Sequence, residues 1–127
     1  MDAAEPLNWI AIITGTVVAF LVGWAWYSPK LFGKAWADGS GAELGSAAGM
    51  PVFAMLMQVV ALFLLALVVG VTATTSALYT AILAILAAGA FVVSGGAFVR
   101  KRGAALMIDF GYVIVAGVVM IVAQGIF

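Results

Sequence analysis

Apolar residues gather into four long stretches with three polar breaks between them, and that spacing predicts the architecture. The stretches run over about residues 7–27, 51–71, 77–99 and 104–127. Each is close to the ~20 residues an α-helix needs to cross a hydrocarbon core of about 30 Å. The pattern therefore predicts an all-α fold: an integral membrane four-helix bundle forming a single domain over residues 1–127.

The span ends carry their own signals. Pro6 suits a first helical turn, where its missing N–H costs nothing. Trp9 at one end of the first span, and Trp24, Trp26 and Tyr27 at the other, match the aromatic belts of a membrane interface. The break between the second and third spans, Thr72-Ala73-Thr74-Thr75-Ser76, carries no charge and suits a short hairpin. The first break, residues 28–50, is longer and patterned. Ser28-Pro29 reads as an N-cap with proline at the first helical position. Leu31, Phe32, Ala35 and Trp36 then recur at helical spacing, with Lys30 and Lys34 set off from them. That predicts a short interfacial helix whose lysines snorkel toward lipid phosphates. The Gly-rich remainder, from Asp38 to Gly49, reads as a flexible connector.

Charge orients the bundle. All five Lys and Arg residues lie in the first and third breaks: Lys30 and Lys34, then Arg100, Lys101 and Arg102. With four crossings both breaks share one face, which the positive-inside rule makes cytoplasmic, and both termini lie outside. The acidic start, with Asp2 and Glu5, is unlike the basic opening of a signal peptide, so the first span is expected to be retained.

Composition narrows the chemistry. Hydrophobic residues make up 67% of the 127 and charged residues 8%, a bilayer balance rather than a soluble one. The chain has no Cys and no His, which removes thiol chemistry, histidine bases and the usual zinc sites. Zero formal charge offers nothing to nucleic acid. Paired carboxylates and phosphate loops are also missing, and Ser28 beside a hydrated Lys30 is no nucleophile–base pair. The expectation is a protein without cofactor, metal or enzymatic activity.

Two features remain as candidates. The first is small residues at helical repeat: Ala11, Gly15, Ala19 and Gly23 in span one, and Ala77, Ala81, Ala84 and Ala88 in span three. Such strips let helix backbones approach closely in lipid. They fit either the bundle's own packing or a face for a partner. The second is a polar layer around Asp109, the one charged residue inside a span. An intramembrane carboxylate is costly and normally faces protein or water. By helical rise it lies roughly 7–8 Å inside the basic edge, Ser94 at a similar depth and Gln58 at roughly 10 Å. Tyr112, three residues on, shares its helix face. Asp109 is expected either to accept hydrogen bonds from Gln58, Ser94 or an aromatic donor, or to pair with Arg100 or Arg102. It would then fix helix register, or else serve as a protonatable or cation-binding site.

The stretch Gly23-x-x-Trp26-Tyr27-Ser28-Pro29-x-x-Phe32-Gly33-x-x-Trp36 holds eight specified residues in fourteen positions. With Asn8-Trp9 before it and Asp109-x-Gly111-Tyr112 in the last span, it resembles DUF1761, a family of small, mainly bacterial membrane proteins of unknown function. The resemblance implies a four-helix protein of the bacterial inner membrane and assigns no reaction. The motif's aromatics serve as interfacial anchors, or line a ligand pocket with Trp24. Two functions follow as expectations: an interaction, scaffold or accessory subunit that packs into a homo-oligomer or a larger membrane complex, or a small proton, cation or amine transporter component using Asp109.

Overall fold

The computed structural model describes residues 6–41 and 52–127. The connector from Ala42 to Gly49 and the start assigned to the second span at Pro51 lie outside the described residues. Five helices follow one another: α1 (Trp9–Trp26), α2 (Gly33–Ser40), α3 (Val52–Ala73), α4 (Leu78–Phe98) and α5 (Gly103–Ile126), with no strand among the described residues. Four of them, α1, α3, α4 and α5, are long and apolar enough to cross a membrane. The hydrophobic pattern placed these four within two residues of their observed ends.

Their ends have local causes. The Asn8 carboxamide accepts the Ala11 N–H at 3.1 Å and caps α1, so Pro6 precedes the cap rather than occupying the first turn. At the end of α4, the Lys101 N–H reaches the Gly96 carbonyl and the Arg100 N–H reaches that of Ala97, both at 3.0 Å. This is a Schellman turn, and it puts Arg100 at φ 64°, where glycine is the usual occupant. The α3–α4 hairpin closes the same way: the Ala77 N–H bonds the Thr72 carbonyl and Ser76 sits at φ 55°.

The four long helices form a ring in chain order, α1–α3–α4–α5, with α5 also packed across it on α3 and against α2. α5 touches every other helix and contributes the most buried positions, Ala105, Asp109, Tyr112, Ala116, Gly117, Met120 and Ala123. The core is filled by large side chains seated on glycines. Ile12 lies over Gly70, Ile85 over Gly117 and Phe110 over Gly89, and an added Cβ at any of these glycines would approach the opposing side chain to 2.8 Å or closer. Small residues draw the backbones together, and dispersion contacts hold them there.

The first connection differs from expectation. Ser28-Pro29 does not begin a helix; the Ser28 hydroxyl instead donates back to the Ala25 carbonyl at 2.7 Å. Residues 27–32 form a turn, and α2 starts at Gly33 with Phe32 at its N-cap position. The reason is steric: a Cβ at Gly33 would collide with the Tyr27 and Ser28 carbonyls, so the chain can fold back tightly only at a glycine. Leu31 and Phe32 are exposed. Asp38-Gly39-Ser40, assigned to the connector, continue α2. Gly39 is buried against Ala105, and its carbonyl accepts the Arg102 N–H at 2.9 Å.

Candidate functional site

The C-terminal end of α1, the helix α2 and the first turns of α5 converge at one end of the bundle. All five basic residues lie at this end. Asp109 sits inside it, 6% exposed. Its Oδ1 accepts the Tyr27 hydroxyl at 2.5 Å, and its Oδ2 accepts the Lys101 ammonium at 2.9 Å. The Lys101 Nζ also lies 5.4 Å from the centre of the Trp36 ring. A carboxylate and a π face thus share one cation. Both charges are largely withdrawn from water, the lysine less so at 24% side-chain exposure, and each neutralises the other.

The aromatics around this pair are fixed from several sides. Tyr27 meets Trp36 edge-on at 5.4 Å and Tyr112 at 5.6 Å between ring centres. The Tyr112 hydroxyl donates to the Ala19 carbonyl at 2.7 Å, and the Trp26 indole N–H to the Ile108 carbonyl at 3.0 Å. Phe32 packs on Trp26 with ring centres 4.6 Å apart and planes tilted by 48°. Glycines provide the clearance. A Cβ at Gly23 would meet the Tyr112 hydroxyl, and one at Gly111 the Trp26 ring. The aromatic motif of α1 and α2 and the Asp109-x-Gly111-Tyr112 element of α5 are therefore two halves of one clamp.

The structure gathers some of the anticipated residues and leaves others apart. Asp109, Tyr112, Gly23, Trp26, Tyr27, Phe32, Gly33 and Trp36 belong to the clamp or its turn, and Ser28 and Pro29 lie in that turn. Gln58 borders the Tyr112 hydroxyl but is exposed on α3. Ser94 is exposed on α4 and takes no part. Trp24 is exposed and packs edge-on against Phe20 instead. The partner of Asp109 is neither Arg100 nor Arg102. Arg102 approaches Asp38 at 3.9 Å with both side chains open to the surroundings. In a run of three cations, the Schellman turn selects the one that points inward.

Of the small-residue strips, Ala11, Gly15 and Ala19 are buried and Gly23 half-buried, facing α5 or the core. On α4 the buried line is Ala81, Ile85, Gly89 and Gly96, whereas Ala77, Ala84 and Ala88 are half-buried at its margin. Gly89 and Gly96 make room for Phe110 and Leu106 of α5. Lys101 and Gly39 are the contributors that spacing alone did not reveal. At the opposite end an open cleft of about 440 Å³ lies among α3, α4 and α5, lined by Thr72, Ser76 and Gln124 among others; Asp109 is not part of it. No group of three His, Cys, Asp or Glu residues that could hold a metal occurs among the described residues.

Fold and site together define a small helical bundle with four helices long and apolar enough to cross a membrane, as in a multi-pass membrane protein, and a polar clamp at one end. The chain belongs to DUF1761, described as a protein of unknown function, whose family model matches residues 10–125. No curated protein and no solved structure matches it.

Proposed function

We propose that this protein is a non-catalytic packing subunit of the bacterial inner membrane, with both basic connections in the cytoplasm and both termini outside. It acts by assembling with copies of itself or with another membrane protein. The observation that carries this reading is that the clamp's carboxylate and most of its donors bond within the chain. Asp109 is bonded through both oxygens, and the Tyr112 hydroxyl and Trp26 N–H bond backbone carbonyls. No second acidic or basic residue lies within the four long helices to continue a proton or cation path. Outward, α4 presents Tyr79, Leu83, Phe91 and Phe98, large side chains at or above 66% exposure that lipid or a neighbouring helix would cover.

The test is association state in lipid. Particles in nanodiscs, sized by mass photometry and crosslinked in native membranes, are expected to contain two or more copies or a reproducible partner. A strictly monomeric protein that co-purifies with nothing would sink the proposal. A reporter or cysteine label at the C-terminus is expected to read as extracytoplasmic.

A further inference from the structure

We infer that the clamp is a binding site for an alkylammonium group, occupied in this structure by the chain's own Lys101. This goes beyond the packing role and does not depend on it. The groups that hold the Lys101 Nζ are those that recognise a ligand amine: the Asp109 carboxylate at 2.9 Å and the Trp36 ring at 5.4 Å. Neither has to be created on binding. Tyr27 holds the other carboxylate oxygen at 2.5 Å and braces the Trp36 ring edge-on. The route in is the lysine's own. Its side chain enters from a surface turn, not from a long helix, and is 24% exposed along the way. Beside this site the Trp36 indole N–H is buried without an acceptor among the described residues. A ligand that carries an oxygen acceptor close to its ammonium would supply one. Lys101 thus acts as a tethered competitor, present at high effective concentration because it is part of the same chain. The ammonium could come from an aminophospholipid head group at this level of the bilayer or from a free amine.

The experiment uses the full chain in phosphatidylcholine nanodiscs, with radiolabelled ethylammonium as probe, and compares wild type, Lys101→Ala and the double variant Lys101→Ala/Asp109→Asn. Lys101→Ala is expected to bind the probe saturably and at least tenfold more tightly than wild type, and the double variant not at all. If Lys101→Ala does not fold, refolding with ethylammonium but not with equal sodium should recover its helical circular dichroism. Folded Lys101→Ala without saturable binding overturns the inference. So does binding that survives Asp109→Asn, equal affinity in wild type, or an unfolded variant that ethylammonium does not rescue. Repeating the Lys101→Ala titration in phosphatidylethanolamine discs separates the sources: weaker probe binding there identifies the lipid head group, and unchanged binding a free amine.

Discussion

The two ends of this bundle are held together in different ways. At the basic end, contacts are directional: a hydroxyl and an indole N–H from the far end of α1, and an ammonium from the turn just before α5, each meet one acceptor on α5. Toward the other end, contacts are volumetric: Ile12 fills the space over Gly70, and Met120 lies against Gly15. In lipid the hydrophobic effect does not distinguish one helix face from another, so packing alone leaves register weakly specified. The polar clamp supplies the missing direction. One end sets alignment and the other supplies area.

That contrast can be broken from the largest expected effect to the smallest. Asp109→Ala leaves the Lys101 ammonium partly buried and unpaired, and should cost about 3 kcal/mol or more. Unfolding in mixed micelles reads the loss, and the double change Asp109→Leu/Lys101→Met should recover most of it. Recovery would show that an unpaired charge, not a lost contact, dominates. Gly33→Ala forces a Cβ onto backbone carbonyls that cannot move aside and should lose about 2–3 kcal/mol. Gly117→Ala, at the volumetric end, meets the Ile85 side chain rather than backbone; its branched Cβ shifts only a little, and the change should lose somewhat less, about 1–2 kcal/mol. Equal losses would erase the distinction between the two ends. Tyr27→Phe removes a bond to a charged acceptor and should cost about 1.5–3 kcal/mol, against about 0.5–1.5 for Tyr112→Phe, whose acceptor is a helix carbonyl. Arg100→Gly relieves a left-handed backbone and should be neutral or stabilising by up to about 1 kcal/mol.

The same division explains what could be read before the structure. Long apolar runs and interfacial aromatics are properties of single segments, so the four helices and their order were legible. Asp109 stood out because a charge in a span must be satisfied. Its partners were not legible, because choosing Lys101 over Arg100 and Arg102 requires the turn geometry that points one side chain inward. Ser94 shares Asp109's depth yet faces away, since rise along a helix says nothing about rotation around it. The α2 boundary was misplaced for a similar reason. Ser-Pro is a sound helix opening in isolation, but here the chain must double back before Gly33, and the serine is used to finish α1.

The cation that closes Asp109 is carried by a connection of four residues between α4 and α5. Connections are normally where a protein tolerates insertions and deletions. This one acts as a gauge: adding or removing a single residue would rotate Lys101 off the carboxylate and strand a charge in the interior. A surface loop has thereby acquired the intolerance to length change that is usually reserved for the middle of a helix.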